Sequence, residues 1–298
     1  MNKKPKVSIL LNCFNEERFI KRSLKSIINQ TFKNWELIIW DDASTDNTIN
    51  IIKQFKDKRI KLFRNKKNLG LGKSRIKAQK YLKGDYVSIL DGDDFFEKKK
   101  IQEQVQIFNK HKNVGLISTW TKIQDLNGAQ VKKFQSLKKN SEIKKNLIFV
   151  NSLPHSSIMY RSKLAKKVGW YSKLYNYAQD YDLTLKILKN SDFYLIKKYL
   201  TNCTTLGKNM SSIDKYKYIA IKETIDILKK NKKNFYLSNF EKTLFNKVIY
   251  LSYLKLFINN KNENIIFKTV YILKTLLLNP SLVFNLNILN HLNEIKKL

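Results

Sequence analysis

Apolar and polar positions alternate in two registers through the first half of the chain. VSILLNC (residues 7–13) is a short apolar run suited to a strand buried on both faces. Residues 16–29 then place Ile20, Leu24, Ile27 and Ile28 on one helical face. WELIIW (35–40) predicts a second buried strand, and Ser44 or Thr45 is suited to cap a following helix that runs to Phe55. Residues 59–64 read as a third strand, 71–83 as a helix, 86–90 as a fourth strand and 97–110 as a helix. This strand–helix alternation predicts βαβ units and a parallel sheet. Ligands of such sheets bind beyond the carboxyl ends of the strands, near a switch in strand order. The acidic clusters Asp41-Asp42 and Asp91 to Asp94 both fall at that edge.

After residue 113 the pattern changes. Residues 114–134 read as strands with Asn127-Gly128 as a hairpin turn, 156–160 as a further strand, and 179–189 as a helix. Beyond residue 212, Tyr218, Ile221, Ile225 and Leu228 keep helical spacing, as do Leu244, Val248, Leu251, Leu254 and Ile258. The division expected is 1–212 for the α/β domain and 213–298 for a helical appendage. Residues 275–293 lack Asp, Glu, Lys and Arg, but Pro280, His291 and five Asn argue against a membrane span. Helices lying on an anionic bilayer, flanked by Lys268, Lys274, Lys296 and Lys297, or packed on the main domain, are the two readings left.

Composition changes this picture in one respect, charge. The 58 basic residues against 24 acidic ones give a formal +34. Nucleic acid is the first partner such a charge brings to mind. Only six of the 58 are Arg, however, and the Lys are spread along the whole chain, so nucleic acid is discounted as the partner. Anionic membranes and acidic glycans remain compatible with it. Cys13 and Cys203 form neither a disulfide framework nor a metal-ligand spacing, and the apolar run 7–11 is too short for a signal-peptide core. A reducing cytoplasm is the expected home.

Three segments carry candidate chemistry. Asp91-Gly92-Asp93-Asp94 crowds three carboxylates at a strand end, where they repel one another unless a cation sits among them. A capping turn for the next helix is the alternative. Asp41-Asp42-Ala43-Ser44-Thr45-Asp46 can accept hydrogen bonds from a base or ribose, or merely cap a helix. Asp180, in Gln179-Asp180-Tyr181-Asp182, has the right group for a general base, or is a helix-dipole partner. Asn68 to Gly72 is neither a P-loop nor a dinucleotide fingerprint.

Taken in order, KVSILLNCFNE (6–16), QTF (30–32), IIWDDASTDNT (38–48), NLGLGKSR (68–75), GDYVSILDGDD (84–94), HSSIMYRS (155–162), KVGWY (167–171) and AQDYDL (178–183) resemble the family 2 inverting glycosyltransferases of bacterial surface-polysaccharide type. The resemblance covers about residues 5–212. It implies an α/β GT-A nucleotide-binding fold, with a mainly parallel central sheet flanked by helices. It also implies sugar transfer from a nucleotide-sugar, in particular a UDP-sugar, to a surface-glycan or lipid-linked hydroxyl. By the same resemblance, Asn12, Asn15 and Asp42 line the nucleoside pocket. Arg75 sits near the base or diphosphate, and Asp91 and Gly92 approach the donor. Asp93 or Asp94 ligates Mg²⁺ or Mn²⁺, Asp180 is the catalytic base, and His155 borders the acceptor. The chain departs from the family at Asn12, often Pro or Thr, at Gln179, often Glu, and at Leu206, often His.

Overall fold

The computed structural model describes residues 7–205 and 214–232, together with positions 235, 242, 245, 246, 248, 249 and 252. The chain divides into two compact units, Met1–Ser212 and Ile213–Leu298.

The first unit is a nine-stranded mixed sheet with helices on both faces. Its N-terminal half contains β1 (Val7–Cys13), α1 (Ile20–Ile28), β2 (Trp35–Asp41), α2 (Thr48–Lys53), β3 (Ile60–Arg64), α3 (Leu71–Ala78) and β4 (Tyr86–Asp91). After it come β5 (Phe95–Phe96), α4 (Lys100–Lys110), β6 (Val114–Gln124), β7 (Gln130–Phe134), α5 (Asn140–Leu147), β8 (Met159–Arg161), α6 (Ser162–Lys167), α7 (Gln179–Leu188) and β9 (Asp192–Thr204). The strand order is β3-β2-β1-β4-β8-β6-β9-β5, with β7 paired to β6. Strands β3, β2, β1 and β4 are mutually parallel. Strand β8 is antiparallel to both its neighbours, so β6 and β9 again run with β4.

Alternation within the buried strands fills two cores. Ile9, Leu11, Leu37 and Ile39 pack on one face with Ile20, Leu24 and Ile27 of α1 and with Ile101, Val105 and Phe108 of α4. Leu10, Ile38, Val87 and Ile89 pack on the other with Ala78 of α3 and with Leu183, Ile187 and Leu188 of α7. A strand buried on both faces must be apolar at successive positions, which is why β1, β2 and β4 are legible as runs. The polar exceptions are paired: Ser8 donates to Glu36 (2.8 Å), which also accepts from the Lys83 amide (2.9 Å).

Two expectations are corrected. Helix α2 is shorter than residues 44–55, and neither Ser44 nor Thr45 caps it. Asp46 accepts from the Thr48 amide (3.0 Å) at its start, while Ser44 turns toward Asp41 and the Asn15 amide. Strand β9, thirteen residues long, lies where the sequence pattern predicts no strand.

In the second unit, α8 (Asp214–Lys232) includes Tyr218, Ile221, Ile225 and Leu228, with Ile225 and Leu228 buried. Among the described residues no helix is long and apolar enough to cross a membrane. The segments 253–298, including the Lys-flanked stretch, lie outside the described residues, as does Leu206.

Candidate active site

Three parallel strands end together. Their register sets Cys13 beside Asp41 and Asn12 beside Asp91, with β1 at the point where the order reverses between β2 and β4. The chain then turns through Asp91 to Asp94, closed by the Asp94 amide donating to the Asp91 carbonyl (3.1 Å). Gly92 is required by close approach: a Cβ there would lie 2.9 Å from Glu16 Cγ and 3.1 Å from Cys13 Cβ. Four side chains grip this turn. Ser23 donates to the Gly92 carbonyl (2.7 Å), Arg22 Nη2 and Thr204 Oγ1 donate to the Asp93 carbonyl (2.9 and 2.6 Å), and Ser156 Oγ accepts from the Asp91 amide (3.1 Å).

The two carboxylates expected as alternative metal ligands, Asp93 and Asp94, are not equivalent. Asp94 is 5% exposed, and both its oxygens are engaged, one by the Ser156 hydroxyl and the other by the Thr204 amide (2.8 Å). Asp94 therefore anchors the turn to the 3-10 turn His155–Ser157 and to β9. Burial, then the Asp91 charge, pushes Asp93 up to about 7. Glu16 joins this group: burial, then Asp93, Asp91 and Asp94, push it up to about 9. Carboxyls raised by one another's charge are hard oxygen donors short of positive charge, the chemistry a divalent cation satisfies. Among the described residues no three or more His, Cys, Asp or Glu lie close enough together to hold a metal ion by themselves. The set fits Mg²⁺ or Mn²⁺ held by one or two carboxylates with substrate oxygens supplying the rest.

On the β2 side, Asp42 organises a loop. Its Oδ1 accepts from Asn65 Nδ2 (2.7 Å) and the Leu69 amide (2.8 Å), and its Oδ2 from the Gly70 amide (2.7 Å). Gly70 takes φ +87°, a conformation suited to glycine. A carboxylate has about four acceptor positions, and three of those of Asp42 are taken among the described residues. Asn15, itself at φ +56°, accepts from the Thr45 amide (2.8 Å) and thereby ties the β1–α1 loop to the β2–α2 loop. The Asn12 Nδ2 is buried with no acceptor among the described residues.

On the β4 side, Arg75 reaches from α3 to Asp91 (Nη2 to Oδ1, 2.9 Å) and is 3% exposed. Its charge also acts on Asp180, His155 and Tyr171. Burial raises Asp180 above the ordinary carboxylate range while Arg75 opposes that rise. Asp180 also accepts from the Tyr181 amide at the start of α7 (2.8 Å). Burial and Arg75 together push His155 well down, which keeps its imidazole neutral. Gln179, fully buried, has no partner for either amide atom among the described residues. The fold thus pairs Arg75 with Asp91 and brings His155 and Asp180 within reach of the Arg75 charge, while Asp93 and Glu16 influence one another and Asp91. Glu16, Arg22, Ser156 and Thr204 are absent from the residues singled out by sequence. Glu16, an acid closing the first motif, and Ser156, inside HSSIMYRS, carry a signal there; Arg22 and Thr204 carry none.

The sequence matches the Glycosyl transferase family 2 model over residues 8–169. It is 35% identical over 240 residues to an uncharacterized glycosyltransferase, MJ1057, of Methanocaldococcus jannaschii, covering 78% of this chain and 82% of that protein. It is 30% identical to the Escherichia coli UDP-Glc:alpha-D-GlcNAc-diphosphoundecaprenol beta-1,3-glucosyltransferase WfgD, covering 74% and 85%. Among solved structures, S. aureus TarS 1-349 in complex with UDP-GlcNAc superimposes with a TM-score of 0.60 at 21% identity, covering 84% of this chain and 81% of that one. The chain spans 43% of a longer S. aureus TarS structure. The mannosyltransferase PcManGT of Pyrobaculum calidifontis, in complex with GDP-Man and Mn²⁺, gives 0.63 at 15% identity, covering 86% and 73%. These structures share the GT-A fold, and the chain belongs to glycosyl transferase family 2.

Proposed function

We propose that the chain is an inverting transferase that moves a sugar from a UDP-linked donor to a hydroxyl of a lipid-linked or surface-glycan acceptor. The observation that carries this reading is the grouping of buried Arg75 with half-buried Asp91, Asp180 and His155, beside the carboxyls of Asp93 and Glu16. The names of two relatives support the donor class, one using UDP-Glc and one crystallised with UDP-GlcNAc. The E. coli relative's diphosphoundecaprenol-linked acceptor supports the acceptor class.

In this reading Asn12, Asn15 and Asp42 frame the nucleoside. Asp91 and Gly92 meet the ribose and diphosphate, and Arg75 lies against the diphosphate. Asp93, with Glu16 beside it, would hold Mg²⁺ or Mn²⁺, which would supply Lewis-acid stabilisation of the leaving diphosphate. Asp94 stays with the scaffold.

Asp180 takes the proton from the acceptor hydroxyl as its oxygen bonds to the anomeric carbon. The bond from that carbon to the diphosphate oxygen breaks on the opposite face, its electron pair leaving with the nucleotide, so the configuration inverts. A carboxylate raised by burial toward the working pH is a better proton acceptor, and Arg75 keeps it ionised. Neutral His155 borders the acceptor and adds no competing charge. A cytoplasmic place with peripheral contact to an anionic membrane belongs to the same proposal. The net charge of +34 and the lipid-linked acceptor of the relative support it.

Nucleotide release across UDP-, GDP-, dTDP- and CMP-sugars, with and without Mn²⁺ or Mg²⁺, tests the donor assignment. The expected result is cation-dependent release from a UDP-sugar that Asp93→Ala abolishes. Release from a GDP-sugar alone would overturn the nucleotide, and cation-independent release in Asp93→Ala would overturn the metal role.

A further inference from the structure

On the outer flank of β3 and α3 lies a groove of about 590 Å³ that shares none of the residues assigned above to donor, metal or acceptor. Its wall is a stack of three rings. Trp40 and Phe63 stack with centroids 5.3 Å apart, and Tyr81 tilts against Phe63 at 4.1 Å. Tyr81 is 40% exposed, at the solvent end of the stack. Around the rings stand Arg64, Lys66, Lys67, Lys77 and Lys80, and no carboxylate lines the groove. Arg64 pairs with Asp41 (3.1 Å), whereas Lys66, Lys67, Lys77 and Lys80 have no carboxylate partner among the described residues and repel one another.

A lysine-rich chain has basic surface elsewhere, and a second groove supplies the comparison. It is lined by Lys138, Lys139, Lys197 and Lys198, but there Glu103 pairs with Lys198 (3.0 Å). That groove has an internal counter-ion and no ring stack among its lining residues. In the β3–α3 groove Asp41 pairs with Arg64 from outside the lining, the four lysines have no counter-ion among the described residues, and the ring stack is present.

We propose that the β3–α3 groove binds an anionic carbohydrate, a sugar chain bearing carboxylates, with pyranose faces against Tyr81 and the anionic groups among the lysines. The electron-rich faces of aromatic rings suit the C–H surfaces of sugar rings. Nucleic acid is the less suited polyanion: strands stack successive bases on successive rings, and only Tyr81 is open here. Four of the five cations are Lys, which present point charges rather than the bidentate fork that reads phosphates and bases.

The groove is joined to the donor side. Asn65, in its lining, donates to Asp42 (2.7 Å) and accepts from Lys77 Nζ (3.0 Å). Strand β3 ends in register with Asp41, so the groove opens at the same sheet edge as the acidic site. A glycan held there lies beside the wall of the nucleoside pocket. Its identity as acceptor or product rests on the proposed function. The binding itself is measured without turnover, so the two readings fail separately.

The test is calorimetry of the full chain with hexagalacturonate, with maltohexaose as the neutral control and single-stranded DNA of equal charge as the rival polyanion. Hexagalacturonate binding is expected in the unaltered protein and in Asp93→Ala. It should weaken roughly tenfold in Tyr81→Ala and in the double variant Lys66→Gln/Lys80→Gln. It should stay within about twofold of the unaltered protein in the charge-matched double variant Lys138→Gln/Lys139→Gln. Three results would overturn the proposal: no binding of hexagalacturonate, equal weakening by both double variants, or DNA binding that depends on Tyr81 and exceeds that of the glycan.

Discussion

Arg75 and Asp91 form an ion pair of 2.9 Å in which the arginine is 3% exposed and the aspartate 33%. Removing the arginine leaves a half-buried carboxylate facing Asp180 without its cation. Breaking a buried pair from one side costs about 3–5 kcal/mol, and the exposure of Asp91 places this pair at the low end. Arg75→Met should therefore lower stability by about 3 kcal/mol in denaturant titration. It should also raise the KM for donor more than it lowers kcat, because the pair frames the donor. A change confined to kcat would contradict that placement.

Asp93 and Asp94 should separate cleanly. Asp94→Ala leaves the Ser156 hydroxyl and the Thr204 amide without their shared acceptor. A cost of about 2–4 kcal/mol follows from leaving two buried polar groups without their hydrogen-bond partner. Asp93→Ala relieves repulsion instead and should leave the melting temperature of the cation-free protein equal or higher. Thermal melts of the two variants, with and without Mn²⁺, check both halves.

Cation-free protein should lose stability as pH rises. Glu16 goes from an ordinary 4.5 to about 9 in the fold, and Asp93 from 3.8 to about 7. Between those values these two groups hold more protons in the folded state than in the unfolded one, so their contribution to stability is fullest below about pH 4 and declines toward pH 9. The depressed His155 and Lys100 act in the opposite sense. Glu16→Gln should flatten the upper part of that decline, and Mn²⁺ should flatten it in the unaltered protein. Melts from pH 5 to 9 that show constant stability would remove the electrostatic argument for a cation here.

Asp42 holds three donors of the loop that ends at Gly70. Asp42→Ala should free the Leu69 and Gly70 amides, which hydrogen exchange would report as faster exchange in that loop while β1 stays protected. Unchanged exchange at Leu69 and Gly70 would show that the loop is held by other contacts.

Much of this arrangement is legible before any coordinates. β1, β2 and β4 are buried on both faces, so their runs stand out, and the parallel order then brings Asp41, Asp42 and Asp91 to one edge. Strand β9 is different. Lys197 and Lys198 interrupt its apolar pattern, and its pairing with β6 shifts register near Thr119 and Trp120. Hidden with β9 is Thr204, whose amide commits Asp94 to the scaffold, so two adjacent aspartates look interchangeable in sequence alone. Glu16 meets Gly92 across 76 positions of chain, a contact set by packing and invisible to local spacing.

Transfer by Asp180→Asn is the most direct measure of the central claim. The substitution keeps the shape of the side chain and removes its ability to take a proton. With donor, acceptor and Mn²⁺ present, the account predicts a fall in kcat of about 10²–10⁴-fold, with donor binding by calorimetry unchanged. The unaltered enzyme's product should carry the inverted anomeric configuration by NMR. Full transfer by Asp180→Asn, or a product that retains configuration, would contradict it.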